Sequence, residues 1–279
     1  ELSIARVTDV GWQGRAEATL VLGSGSTIDL GTLATPATLN IGWNESVGNS
    51  GYYAYANTSN ATGTLDATLG ILTAELSELN VGRTAGRGTA SGSLIIGQGT
   101  TLNTPVANIG IGGTCEGGAS GTLEVRGGSL RFAGTDTSLN FGSGSLAIAD
   151  GVSFTLGDPG NRLDHLRLGY NLSGIDLADT TADLTNDQFS ADIDDELSIA
   201  RVTDVGWQGR AEASLVLGSG STIDLGTLAT PATLNIGWNE SVGNSGYYAY
   251  ANTSNATGTL DATLGTLTAE LSELNVGRT

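Results

Sequence analysis

The sequence predicts an all-β fold, a parallel β-helix or β-solenoid, and three observations carry that expectation. Residues 1–84 return as residues 196–279, an offset of 195, with only Thr19 becoming Ser214 and Ile71 becoming Thr266. A copied block of this kind is the mark of a repeat architecture. Beneath it runs a shorter cadence of Leu-x-Ile/Val/Phe-Gly. Glycine supplies 43 of 279 residues and proline only four, which suits short strands joined by tight turns and disfavours helix.

The cadence reads Leu2-Ser3-Ile4-Ala5-Arg6, Leu39-Asn40-Ile41-Gly42-Trp43, Leu79-Asn80-Val81-Gly82-Arg83, Ile109-Gly110-Ile111-Gly112, Leu139-Asn140-Phe141-Gly142 and Leu166-Arg167-Leu168-Gly169-Tyr170, returning at Leu197. Steps of 37, 40, 30, 30, 27 and 31 residues make six coils per 195-residue unit. A second apolar pair follows each anchor, at Leu20 and Leu22, Leu65 and Ala67, Leu94 and Ile96, Leu123 and Val125, Leu146 and Ile148. A third follows at Ile28 and Leu30, Leu130 and Phe132, Phe154 and Leu156. Alternation with period two turns one side of each segment inward and the other out. Three such strands per coil describe a roughly triangular solenoid. No coil buries its inward row alone, so each rung shields the next, and the chain grows along one axis. Residues 1–195 form one complete unit and 196–279 begin the next.

Two stretches depart from the rhythm. The coil from Leu39 carries a polar and aromatic surplus that should project as a loop. Its rings, Trp43, Tyr52, Tyr53 and Tyr55, recur as Trp238, Tyr247, Tyr248 and Tyr250. They would stack on a sugar or a neighbouring filament, or fold back over the solenoid's own flank. Residues 175–196 carry Asp176, Asp179, Asp183, Asp187, Asp192, Asp194 and Asp195 and read as a long coil, an insert or a unit junction. Hard cations take oxygen ligands, so these carboxylates are the candidate calcium site, against the alternative of a solvated acidic face. Neither an EF-hand loop nor a calcium β-roll motif is present. Asn44, Asn57, Asn60, Asn171, Asn239, Asn252 and Asn255 each open an Asn-x-Ser/Thr triplet and are candidate glycosylation positions.

Composition narrows the function. Acidic residues number 29 against 11 basic ones, all arginine, for a net charge of −18. Such a surface repels nucleic acid, whose phosphates need basic patches. No apolar run is long enough to insert in a membrane. The carboxylates outside the Asp-rich stretch are scattered along the coils, His165 is the single histidine, and no nucleophile stands with a base, so an enzyme is not expected. Cys115 has no cysteine partner within the chain and would be a small buried hydrophobe or an intermolecular crosslink.

The repeated Leu-x-Ile/Val-Gly, Gly-Thr-Leu-x-Val and Gly-Ser-x-Leu phrases resemble those of giant bacterial surface proteins, the filamentous-haemagglutinin-like adhesins and autotransporter passengers. That resemblance implies export to the cell surface, a right-handed rod, and a role in adhesion, sheath or filament formation. The shared phrases carry packing, so no functional residue transfers with them. Near-identical copies favour an extracellular structural fibre whose main partner is itself. A cell-surface adhesin stalk that binds glycans or other cells is the alternative, and a polysaccharide-acting β-helix enzyme a distant third.

Overall fold

The structure, a computed structural model, describes all residues except 9–13, 46–58, 86–87, 113–117, 158–159, 173–176, 204–208, 241–253 and 279. Every regular element in it is a strand, and every pairing between those strands is parallel. The chain is an all-β parallel solenoid with three faces.

The first face stacks Leu2–Val7, Ala37–Asn44, the end of Ile71–Thr84, Val106–Ile109, Ser138–Phe141, Leu163–Asn171, the end of Gln188–Val202, Ala232–Asn239 and Leu271–Val276. The second stacks Arg15–Val21, Asn60–Ala67, Thr89–Ile96, Ala119–Val125, Gly144–Ile148, Leu177–Leu184, Arg210–Leu217 and Asn255–Asp261. The third runs in two parts. One holds Thr27–Leu30, the start of Ile71–Thr84, Thr100–Thr104 and Ser129–Phe132. The other holds Ser153–Leu156, the start of Gln188–Val202, Thr222–Leu225 and Thr266–Ala269.

Inward ladders follow from the alternation. On the first face Leu2, Leu39, Leu79, Ala107, Leu139, Leu166, Leu197, Leu234 and Leu274 stand in register. On the second, Leu20, Leu65, Leu94, Leu123 and Leu146 do the same. All but Leu274, which is exposed, join Phe132, Phe141, Phe154 and Phe189 in one continuous core, most of it fully sealed from water. Burial of this kind is worth roughly 25 cal/mol per Å² of apolar surface. Unequal coil lengths leave the second face in step, whereas on the first face the register shifts by a bulge at Ala37/Thr38, Leu163/His165 and Ala232/Thr233. The outward column Thr19, Thr64, Ser93, Thr122, Ser145, Thr181, Ser214 and Thr259 keeps step across every strand of the second face.

The fourth anchor is displaced from its expected place. Ile109 stands opposite Val81 and Phe141, so the true rung is Ala107-Asn108-Ile109-Gly110, two residues earlier. Ile109 and Ile111 satisfy a period of two equally well. Asn108, aligned between Asn80 and Asn140, decides between them.

The described part of the Asp-rich stretch is paired strand. Leu177–Leu184 pairs residue by residue with Arg210–Leu217, and Gln188–Val202 is one 15-residue strand that crosses the unit boundary at Glu196. Its first part lies on Ser153–Leu156 and its second on Leu163–Asn171. The irregularity falls one coil earlier. Gly144–Ile148 meets the strand above it only through Gly144 with Thr180 and Ser145 with Thr181, and Ser129–Phe132 has no ladder to Ser153–Leu156.

Candidate functional site at the unit boundary

Alternation assigns the residue between the inward leucine and isoleucine to the outside of the first face, yet at that position Asn40, Asn80, Asn108, Asn140, Asn235 and Asn275 are buried. They satisfy one another along the axis. Asn80 Nδ2 donates to Asn40 Oδ1 at 2.9 Å, Asn108 to Asn80 at 3.2 Å, Asn140 to Asn108 at 3.2 Å and Asn275 to Asn235 at 2.8 Å. Where the column lacks asparagine, Ser3 accepts from Asn40 at 3.3 Å and Ser198 from Asn235 at 2.9 Å. A side-chain amide has one donor and one acceptor end free to do this at each rung. Replacing Asn80 by leucine strands the Oδ1 of Asn40 and removes one acceptor of Asn108. We expect it to cost about 2 kcal/mol, read as a lower urea midpoint with unchanged circular dichroism.

A layer of charge covers the amides. In four rungs a glutamate stands five residues before an arginine, and the two meet across the corner. Arg6 reaches Glu1 at 2.5 Å, Arg278 reaches Glu273 at 2.6 Å, and Arg83 and Arg201 make the same contact with Glu78 and Glu196. Three of these arginines, Arg6, Arg201 and Arg278, also stack on aromatic rings in adjacent rungs. Arg6 lies 5.0 Å from the Trp43 ring, and Arg201 lies 4.7 Å from Trp238 and 5.9 Å from Tyr170. Arg278 covers the other side of Trp238 at 5.6 Å. Each such contact contributes about 0.5–1 kcal/mol near a surface.

The layer is densest where the second copy begins. Glu196 is 8% exposed and accepts from Arg167 Nε at 2.7 Å, from Asn235 Nδ2 at 3.1 Å, and from Arg201 and Ser198. Burial works to raise its pKa, but the charges of Arg167 and Arg201 and the bonds from Ser198 and Arg167 outweigh it and hold the carboxyl below its usual range. His165, in the rung below, places Nδ1 at 3.6 Å from Glu196 and Nε2 at 2.8 Å from Asp136. Burial pushes Asp195 the other way, upward, against the pull of His165.

The acidic candidates are spread over separate environments. Asp192 and Asp194 share Arg162, which sits 2.6 Å from Asp194 and 3.8 Å from Asp192 and donates to the carbonyls of Ile193 and Asp224 at 2.8 and 2.9 Å. A guanidinium thus supplies the positive charge that a cation would bring. Asp183 caps its own turn, accepting from the Thr185 amide at 3.1 Å and hydroxyl at 2.5 Å, which lowers its pKa. Asp66 and Asp261 do the same for Thr68 and Thr263. Asp179 is exposed, and Asp187 is buried, with its pKa raised by that burial and by Asp150 and Asp183. Asp176 lies outside the described residues. Among the described residues no three His, Cys, Asp or Glu side chains converge as a metal-ligand set.

Trp43 and Trp238 are half-buried and lie against the arginine layer. Tyr52, Tyr53, Tyr55, Tyr247, Tyr248, Tyr250 and Cys115 lie outside the described residues, as do Asn57 and Asn252. Of the other triplets, Asn44 and Asn171 hold structural positions in the described residues. Both are buried, and their Nδ2 atoms, where a glycan would attach, donate to the carbonyls of Ser59 and Thr89 at 3.1 and 3.0 Å and of Arg210 at 2.6 Å. Asn239 donates to the Ser254 carbonyl at 2.9 Å. Asn60 is half-buried and accepts from Thr62 at 3.0 Å, while Asn255 is exposed on the second face.

No family model, curated protein or solved structure matches this chain. The glutamate–arginine spacing and the asparagine column are the features the Leu-x-Ile pattern leaves out. Both are written in the sequence, the first at residues 1 and 6, 78 and 83, 196 and 201, 273 and 278.

Proposed function

We propose that the protein is an extracellular structural β-solenoid, a fibre, filament or sheath component built by coaxial stacking of near-identical repeats. The observation that carries this reading is the boundary at Glu196. One strand, Gln188–Val202, ends the first unit and begins the second without a break in pairing, and Leu197 takes the place on Leu166 that keeps the inward ladder continuous. A junction that is simply another rung lets a chain lengthen with no special connector. The buried Glu196 cluster adds ion pairs across that rung, between Arg167 of the first unit and Glu196 of the second.

The test is length. The ladder takes six strand-to-strand steps from Leu2 to Leu197, through Leu39, Leu79, Ala107, Leu139 and Leu166. At 4.7–4.9 Å per step, each added unit should lengthen the rod by about 29 Å. Chains of two, four and eight units, measured by small-angle scattering and negative stain, should grow by that increment at constant cross-section. A radius of gyration that rises as for a compact sphere would defeat the proposal. Native material seen as bundles or sheaths supports the fibre, whereas single stalks ending in a distinct tip would favour an adhesin.

A further inference from the structure

The interruption in the third face is itself a site. Among the described residues Ser129–Phe132 pairs only with the strand below it and Ser153–Leu156 only with the strand above, so two strand edges face each other without a ladder between them. Between them lies a groove of about 510 Å³ lined by Ser129, Arg131, Ser153, Thr155 and Asn161 together with backbone at Gly128 and Gly157. One of its open carbonyls, that of Phe132, already takes a side-chain donor, Asn161 Nδ2 at 2.5 Å. Backbone groups left without a rung partner are strong hydrogen-bonding groups that a bound molecule can satisfy.

The groove also holds an unusual charge. Arg131 makes no ion pair or side-chain hydrogen bond with any described residue, in a chain where Arg6, Arg83, Arg126, Arg162, Arg167 and Arg201 all hold carboxylates. A free guanidinium fork matches a carboxylate bidentately. Hydroxyls at Ser129 and Thr155, the acceptor lone pairs of Ser153, whose own proton goes to Gln188 Oε1 at 2.8 Å, and the open edges match a polyhydroxylated ring. We infer that this groove binds an acidic saccharide, with the sugar carboxylate on Arg131 and the ring hydroxyls on the strand edges. The net charge of −18 does not forbid a short anion. At physiological ionic strength screening acts over about 8 Å, so the local cation dominates. The inference stands apart from the fibre reading, since a stalk or a sheath could carry the same groove.

Isothermal titration of the 279-residue chain with trigalacturonate tests it. The trisaccharide should bind, Arg131→Gln should weaken it at least tenfold, and Arg131→Lys should recover part of the loss. Arg210→Gln removes another exposed arginine without an ion pair among the described residues, on the second face, and should leave affinity unchanged. Arg131 is exposed, so its variants should fold, with circular dichroism as the control. Four outcomes would overturn the inference. They are no binding by the parent chain, equal binding of neutral maltotriose, full competition by acetate, which would mark a bare carboxylate site, and equal losses in the Arg131 and Arg210 variants.

Discussion

Replacing Glu196 by glutamine is expected to lower the stability of the chain by about 3–5 kcal/mol, the range for removing one member of a buried ion pair. The substitution keeps the shape of the side chain and removes its charge, leaving Arg167 and Arg201 to face each other across a rung, with Arg201 keeping Glu240 at 2.9 Å and Arg167 losing its carboxylate partner among the described residues. Glu78→Gln is the internal comparison. Glu78 meets one arginine, its side chain is 33% exposed, and the loss there should stay within about 1 kcal/mol. Acid should act on the same group. Because the folded pKa of Glu196 lies below its ordinary value, its contribution is complete above the unfolded pKa and disappears as pH falls through the folded one. Asp187 and Asp195 have raised values, so they oppose folding while ionised and that opposition fades as pH falls toward them. Denaturation midpoints should therefore hold or rise slightly from pH 7 toward pH 5, then drop below about pH 4, where carboxyls ordinarily titrate. The drop should be shallower in the glutamine variant. Equal midpoints for Glu196→Gln and the parent at neutral pH would show that the cluster is ornamental.

How much of this could be read beforehand depended on whether the deciding contact was local. Leu39, Leu79 and Leu94 were legible as core because period-two alternation is a property of a few neighbouring residues. The asparagines were not, since alternation alone sends Asn80 to solvent. Its burial depends on Glu78 and Arg83 closing over it and on Asn40 and Asn108 lying one rung away. The Asp-rich stretch looked irregular for a different reason. In Leu177–Leu184 the inward row is Ala178, Thr180, Ala182 and Leu184, too small and too polar to announce a strand, while the aspartates between them point out. Pairing with Arg210–Leu217 supplies the order that hydropathy does not. The groove at Arg131 was invisible in principle, because a missing ladder is a relation between two strands and leaves no mark in either.

Two glycine substitutions should separate backbone strain from close packing. Gly25 and Gly82 both have positive φ, at 83° and 66°, a region that carries a cost of about 1–2 kcal/mol for a residue with a Cβ. Around Gly25 a Cβ would meet nothing within 4 Å, so Gly25→Ala should cost that strain and no more. At Gly82 the same atom would stand 1.8 Å from the carbonyl oxygen of Ser120 and 2.9 Å from the Gly92 nitrogen, both backbone. No side chain can swing aside to make room. The first and second faces would have to part at that corner, pulling Leu79 and Val81 from the ladder they share with Ala107 and Ile109. Alanine holds the matching place in two other rungs, Ala5 at φ 59° and Ala200 at φ 61°, so the corner can be spaced for a Cβ, and we expect Gly82→Ala to cost about 2–4 kcal/mol, strain plus overpacking, read as a lower melting temperature. A variant that melts with Gly25→Ala would mean that the corners have slack, and that the close approach of the two faces is not what fixes the shape of the coil.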